Sequence, residues 1–227
     1  MTRININQDL KALNNQIAAE NREKLNSRVI YAINIMGSPG SGKTTFLENI
    51  LPDLSSQMRV AVIEGDLATR NDALRIEKTG VMALQINTNG GCHLDAKMIE
   101  NQLKMLDLDS LDLIIIENVG NLVCPATYDL GEDMRMVILS VAEGEDKPAK
   151  YPIAFLNADT VVITKTDLLP FVDADIQVMK KHISDINPKV LVFEAGKKDG
   201  VYRAEGIVQY IIEEVRRKKC RQSGIHS

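Results

Sequence analysis

The residues best suited to chemistry fall into three groups. The first is Gly37-x-x-x-x-Gly42-Lys43-Thr44, a glycine-rich loop closed by a lysine and a hydroxyl residue, with Gly40, Ser41 and Thr45 completing it. Glycines at these positions let backbone N–H groups face phosphate oxygens. The lysine brings positive charge to the β and γ phosphates, and the hydroxyl can ligate Mg2+. The apolar run ahead of the loop reads as a strand and the residues from Thr45 onward as a helix, so a helix N-terminus would also face the anion. That setting separates the motif from a glycine-rich turn with a chance lysine.

The second group consists of carboxylates at the ends of apolar strands. Leu113-Ile-Ile-Ile-Glu117 places an acid where it can support Mg2+ or its water, and Gly120 comes soon enough after it for its backbone to approach a γ-phosphate. Asp66 ends an earlier strand and is a second Mg2+ candidate; the alternative is an N-cap for the segment behind it. Val161-Val-Ile-Thr-Lys-Thr-Asp167 resembles the Asn-Lys-x-Asp base-recognition pattern with Thr164 in place of asparagine. Asp167 can accept two hydrogen bonds from the N1–H and N2–H2 groups of guanine, whereas adenine offers no such pair and would leave the carboxylate unpaired. The stem of Lys165 can cover the base. Glu194-Ala195-Gly196-Lys197 is a looser candidate for closing over it.

The third group is Cys92, His93 and Cys124. Adjacent Cys92 and His93 make a poor chelate alone, and Cys124 adds a third ligand. A Cys2His set suits Zn2+ or Ni2+, with the fourth position filled by water or by a second copy of the chain across a two-fold axis. Spacing alone leaves open the other reading, buried thiols and a histidine at a helix start. Cys220 lies in a basic tail and reads as incidental.

These groups need a scaffold that gathers distant loops. Apolar runs over 29–36, 59–64, 81–86, 111–117, 134–141, 160–164 and 190–193 read as strands, and helical patterns over 43–54, 71–79, 94–106, 173–186 and 204–219 alternate with them. Alternation of this kind implies an α/β fold, here a three-layer P-loop NTPase with a mostly parallel sheet of about seven strands. Loops leaving the strand C-termini then share one edge, which is where ligands bind in open sheets. Residues 8–26 read as an added helix with Leu10, Leu13, Ile17 and Leu25 on one side. The expected division is a helical extension over 1–28, a nucleotide-binding domain over 29–219 and a short tail over 220–227.

Composition narrows the classes. A net charge of −4 argues against a nucleic-acid or acidic-membrane footprint, and the basic cluster from Arg216 to Arg221 reads as a solvated last helical turn. There is no signal-peptide core and no run long enough to span a bilayer, so a cytoplasmic location is expected. Three cysteines in such a chain do not suggest a disulfide framework.

Five ordered segments are similar to a known family: Gly-Ser-Pro-Gly-Ser-Gly-Lys-Thr-Thr at 37–45, Gly-Cys-His-Leu-Asp-Ala at 91–96, Glu-Asn-Val-Gly-Asn-Leu-Val-Cys-Pro-Ala at 117–126, Asp-Leu-Gly-Glu at 129–132 and Glu-Gly-Glu-Asp-Lys-Pro-x-Lys-Tyr-Pro at 143–152. They resemble HypB, the nickel-delivering GTPases of NiFe-hydrogenase maturation, of the SIMIBI type. The resemblance runs from about Ala32 to Val215 and sets the chain apart from the urease accessory GTPases, whose metal motif is Cys-Pro-His. It implies slow GTP hydrolysis, a homodimer formed on GTP and metal binding, and an interfacial Ni2+ or Zn2+ site at Cys92, His93 and Cys124. It further implies a loop at Lys147 that joins partner and nucleotide state, a second nickel-maturation protein as partner, and a hydrogenase large subunit as client. The N-terminal Cys-x-x-Cys site or His-rich tract of many bacterial members has no counterpart in this sequence.

The expected function is a GTP-gated metal relay in which Lys43, Glu117 and Asp66 serve catalysis. The alternatives are a GTPase metallochaperone for another metalloenzyme, a GTP-binding scaffold with a structural zinc site, and a small-molecule P-loop kinase.

Overall fold

A computed structural model describes residues 6–66, 71–88, 90–222 and 224; the side chains of residues 6–8, 66 and 71 are outside the description. Seven strands form one parallel sheet: β1 (Tyr31–Gly37), β2 (Val60–Asp66), β3 (Met82–Asn87), β4 (Leu113–Glu117), β5 (Met134–Ser140), β6 (Thr160–Thr164) and β7 (Leu191–Glu194). Their order is β3-β2-β4-β1-β5-β6-β7. The chain therefore steps outward from β1, returns to insert β4 beside it, and crosses to β5 on the other side. This reversal at β1 opens the crevice in which such sheets bind ligands.

Both faces of the sheet are covered, which is why the strands are continuous apolar runs rather than alternating ones. Tyr31, Ile33 and Ile35 of β1 pack with α2 (Lys43–Ser55), α3 (Asn71–Glu77) and α8 (Glu205–Gln222) on one face. Ala32 points the other way, into a cluster with Ile99 and Leu103 of α4 (Ala96–Leu103) and Leu25 of α1 (Ile6–Asn26). Beyond it, Val137, Leu139, Val161 and Ile163 meet α6 (Pro152–Leu156) and α7 (Ile176–Ile186). The expected three-layer fold with an N-terminal helix is what forms. The short helix α5 (Lys147–Lys150) and an antiparallel ribbon of β8 (Gly196–Lys198) and β9 (Val201–Arg203) are added features that periodicity did not reveal.

Several boundaries move for local reasons. Helix α4 starts two residues later than expected because Asp95 caps it, accepting from Met98 N at 2.7 Å. Asp175 does the same for α7, accepting from Gln177 N at 2.7 Å. Strand β4 begins at Leu113, and just ahead of it the Asp112 carboxylate pairs with Arg59, its Oδ1 2.8 Å from Arg59 Nη2.

The face of α1 requires a correction. Leu10 and Leu13 are 57% and 53% exposed, and the side that docks carries Asn14, Ala18, Asn21 and Leu25. These positions follow a helical period, but two of them are amides, so an apolar search passes over them. Their partners explain the choice. Asn14 Nδ2 donates to Asp129 O at 2.9 Å, and Asn14 Oδ1 accepts from Ala96 N at 2.9 Å. Asn21 Nδ2 reaches Ala96 O and Leu130 O at 2.9 and 3.2 Å. The helix thus supplies hydrogen-bond partners to backbone groups at the start of α4 and in the turn ahead of β5, among them the Ala96 N–H, which has none within its own helix. Arg22 adds a two-pronged contact to Asp129 at 2.7 and 2.9 Å.

Gly131 allows this close approach. Its φ of +95° suits glycine, and a Cβ there would stand 2.7 Å from Ala18 O and 2.9 Å from Arg22 N. Gly131→Ala is expected to destabilise the fold by about 2 kcal/mol or more, through backbone strain and displacement of α1. Chemical denaturation measures this, and an unchanged midpoint would show that α1 does not pack against this turn.

Candidate functional site

Strand β1 delivers the glycine-rich loop to the sheet edge, and α2 starts directly behind it at Lys43. A cavity of about 460 Å3 opens there, lined by Gly40, Gly42, Lys43, Thr44, Thr45, Glu117, Gly120 and Lys165 among others. The sheet order brings these together: β4 lies beside β1, so its last residue meets the first turn of α2. Glu117 Oε1 accepts from Thr44 Oγ1 at 2.8 Å. Lys43 Nζ donates to Gly37 O and Ser38 O at 3.3 and 3.4 Å, curling over its own loop.

The electrostatics of this pair arise from burial. Lys43 and Glu117 are 8% and 3% exposed. Loss of water pushes the Glu117 carboxyl up from 4.5 to about 7, opposed by the Lys43 charge and the Thr44 hydroxyl. Burial likewise draws the Lys43 ammonium below its ordinary value, with the Glu117 carboxylate as the main opposing influence. Glu117 Oε2 is buried without a hydrogen-bond partner. A carboxylate oxygen held dry beside a hydroxyl, at the mouth of a phosphate loop, fits a hard divalent cation that would satisfy it.

Gly37, Ser41 and Asp167 stand apart from the cavity lining. Ser41 is buried beneath it, with its carbonyl accepting from Thr164 Oγ1 at 2.6 Å. Asp167 Oδ1 accepts from Lys197 N at 3.0 Å, which brings the turn after β7 alongside the base loop as its sequence suggested. Asp66 ends β2 at the same sheet edge, but its side chain lies outside the described residues. Lys165, at φ +57°, lays its Nζ 2.7 Å from Gly40 O, bridging the phosphate and base loops.

The sulfur and imidazole ligands converge from two loops on the flank of the cavity. Cys92 Sγ donates to Cys124 Sγ at 2.9 Å and stands 3.5 Å from His93 Nδ1. All three donor atoms lie within 4.8 Å of one another. The hydrogen bond from Cys92 to Cys124, with some burial, raises the Cys92 thiol, and burial lowers the His93 imidazole. An exposed thiol, a half-buried thiol and an imidazole packed this closely form a cluster suited to a borderline metal ion, in place of separate buried thiols.

Several residues around both sites escaped the sequence reading. Arg75 and Asp72 of α3 line the cavity, and Arg75 is held by Glu48 at 2.6 Å and Asp72 at 3.0 Å while its Nη2 donates to Thr45 Oγ1 at 2.9 Å. Tyr128 stacks on His93 with ring centres 4.0 Å apart. Asn121 Nδ2 donates to Cys92 O at 3.2 Å, linking the two metal loops. A basic residue on α3 and an aromatic four positions after Cys124 carry no spacing rule that would mark them in advance. Lys147 sits 3.2 Å from Glu143 Oε1 and over the Tyr151 ring, beside a second cavity that also touches Ser38 and Val123.

A parallel sheet with this reversal and this loop defines a P-loop nucleotide-binding protein. Residues 31–194 match the CobW/HypB/UreG nucleotide-binding domain. The chain is 47% identical over 197 residues to hydrogenase maturation factor HypB of Azotobacter vinelandii, covering 87% of this chain and 65% of that protein. Its fold matches a crystal structure of HypB from Helicobacter pylori in complex with nickel, with a TM-score of 0.83 and 41% identity over 90% of this chain and 95% of the other. The hydrogenase maturation factor HypB from Archaeoglobus fulgidus gives a TM-score of 0.83 at 38% identity, over 90% and 99% of the two chains. The chain belongs to the HypB family of hydrogenase maturation factors. It spans about two thirds, 65%, of the length of the Azotobacter vinelandii relative. Among the described residues no helix is long and apolar enough to cross a membrane.

The raised carboxyl of Glu117 has a pH consequence. Its protonated form is the one favoured by the fold, so its contribution to stability is complete below about pH 4.5 and is lost as pH rises through about 7. In protein freed of nucleotide and divalent cations, Glu117→Gln is therefore expected to gain stability over the parent as pH rises across that window. Urea denaturation at stepped pH reads this directly, and a difference that does not change with pH would contradict it.

Proposed function

We propose that the protein is a GTP-dependent metallochaperone that binds Ni2+ or Zn2+ at Cys92, His93 and Cys124 and hydrolyses GTP to support nickel insertion into a NiFe hydrogenase. The observation that carries this reading is continuity. Glu117, which touches the phosphate loop, and Cys124, which touches Cys92, belong to one short segment, so a single loop serves both sites. The nickel-bound Helicobacter pylori relative supports the choice of metal.

Base choice rests on Asp167, with Lys165 covering the ring and Thr164 fastening the base loop to Ser41. Gly37, Gly40, Ser41, Gly42 and Thr45 present backbone N–H groups to the phosphates, Gly120 closes over the γ-phosphate, and Lys43 balances charge there. Thr44 and Glu117, with Asp66 expected beside them, would hold Mg2+, which supplies positive charge that offsets that of the terminal phosphates. Glu117 keeps its carboxylate oriented through Thr44. The slow intrinsic rate expected of the family agrees with an arginine, Arg75, that is already committed to Glu48 and Asp72.

A Cys2His set leaves one tetrahedral position open. A second copy of the chain meeting it across a two-fold axis would bring two such sets together, so GTP and metal favour a homodimer. Release of metal on hydrolysis, to a second nickel-maturation protein or to a hydrogenase large subunit, completes the relay.

Two measurements test the reading. Cys92→Ala with Cys124→Ala is expected to abolish stoichiometric Ni2+ binding while guanine nucleotide affinity, compared with both proteins free of metal, stays within about threefold of the parent, as is usual for sites without shared ligands. Full Ni2+ stoichiometry in the double variant would defeat the site assignment. Asp167→Asn replaces an acceptor with a donor, so it is expected to weaken GTP binding by about 100-fold or more and to favour xanthosine triphosphate, whose C2 carbonyl accepts from the new amide. Unaltered preference for GTP would remove Asp167 from base recognition.

A further inference from the structure

The two halves of the metal site differ in how they are joined to the phosphate loop. Cys124 is covalently continuous with Glu117. Cys92 and His93 sit on a separate loop, so any influence of the nucleotide on them must travel through contacts between loops.

Leu94, the residue after His93, receives two such contacts. Its side chain is fully buried and fills the place where a Cβ on Gly65 would stand, 2.8 Å from Leu94 Cδ1. Its backbone N–H donates to Asn118 Oδ1 at 3.1 Å. Gly65 precedes Asp66 and Asn118 comes directly after Glu117, and both Gly65 and Asn118 line the nucleotide cavity. The two strand ends that carry the acids therefore both bear on the residue next to a metal ligand.

Asn118 is well placed to pass on a displacement. It is 1% exposed, and its N–H and both polar atoms of its side chain are engaged. The N–H donates to Ile35 O at 2.9 Å, its Nδ2 donates to Asn34 Oδ1 at 3.2 Å, and its Oδ1 also accepts from Val119 N at 3.0 Å. Buried bonds of this kind are costly to leave unmade, so a shift of the β4 end moves Leu94 with it or breaks the set. On the far side of Leu94, the Asp95 cap anchors α4, and Gly91 is fastened to Thr88 by Thr88 Oγ1 donating to Gly91 O at 2.9 Å. Between these anchors Cys92 is held at its carbonyl by Asn121 and the His93 ring lies against Tyr128, which leaves Leu94 as the residue of this stretch that the ends of both β2 and β4 touch.

We propose that Asn118 and Leu94 are positioning residues that couple nucleotide state to the placement of Cys92 and His93, Asn118 through its hydrogen bond and Leu94 through its contact with β2. This rests on the proposed function, in which the phosphate loop takes GTP and the Cys2His cluster takes nickel. Coupling between linked sites commonly corresponds to roughly 5–150-fold in affinity, and it is reciprocal. A physical joint with two arrangements is required to carry it, not spatial intermediacy alone.

The test titrates Ni2+ into the full chain loaded with GDP or with a non-hydrolysable GTP analogue, following thiolate-to-nickel charge-transfer absorption. The parent is expected to show different affinities in the two states. Asn118→Ala removes the bond but keeps the apolar contact. Leu94→Ala removes the contact but keeps the N–H. In each, the ratio of the two affinities is expected to fall by about threefold or more toward one while nickel still binds, the path through Cys124 being left intact, a pattern that a general loss of structure would not produce. Should Asn118→Ala fail to fold, Leu94→Ala decides alone. Equal affinities in the parent would overturn the relay and this joint together. A parental ratio that survives in the folded variants would overturn the joint and leave the relay standing.

Discussion

One dry carboxylate organises the nucleotide edge of this protein. Glu117 reaches Thr44 only because β4 is threaded back beside β1 after two strands have been laid down further out. Had the chain placed β4 at an edge, the acid would be solvated and its carboxyl would sit near 4.5 rather than about 7. The topology therefore sets the chemistry: burial makes the charged form costly until a cation or a phosphate-bound ion offsets it. The same insertion governs the path of the chain beyond β4. A loop leaving the centre of the sheet must run along the phosphate site before it can turn away, and Asn118, Gly120, Asn121 and Cys124 are strung along that run. The isolated bridge between Gly37 and Asn121 shows how closely the phosphate loop and the metal loop travel together.

The substitution of threonine for asparagine in the base-recognition loop is a smaller change than it looks. An asparagine side chain in that place can reach both ways across the loops. Thr164 is shorter, yet its hydroxyl meets Ser41 O at 2.6 Å, so the strand end still fastens the phosphate loop from below. Lys165 makes the second tie from above, to Gly40 O. The two ties hold the two loops in register without a side-chain amide, and Lys197 N braces Asp167.

The phosphate loop, the acid ending β4 and the alternation of elements were legible because each rests on a local rule: glycine spacing, an apolar run with a terminal carboxylate, strands and helices taking turns. The docking of α1 was not. Its apolar periodicity picked Leu10 and Leu13, which face away, because the interface is built from amides that complete the N-terminus of α4 and the turn at Gly131. Only the shape of the surface beneath reveals that such groups need partners. The Asp-Leu-Gly-Glu stretch at 129–132 is explained by the same contacts: Asp129 takes Arg22, Leu130 O takes Asn21, and Glu132 takes Arg135. A segment marked by resemblance to a family thus turns out to serve docking rather than chemistry.

The metal cluster sits between these extremes. Residue types alone named Cys92, His93 and Cys124, but adjacency in sequence argued against two of them acting together. The fold resolves this by closing a tight turn from Thr88 to Gly91 and stacking Tyr128 on the His93 ring, so that both side chains turn toward Cys124. The resulting cluster is half-exposed and one ligand short of a closed tetrahedron. A structural zinc site would be closed and dry. An open position in a three-ligand set suits an ion that is to be exchanged rather than one held for structure, and Cys92, exposed on the single chain, lies where a second copy would complete the set in the proposed dimer.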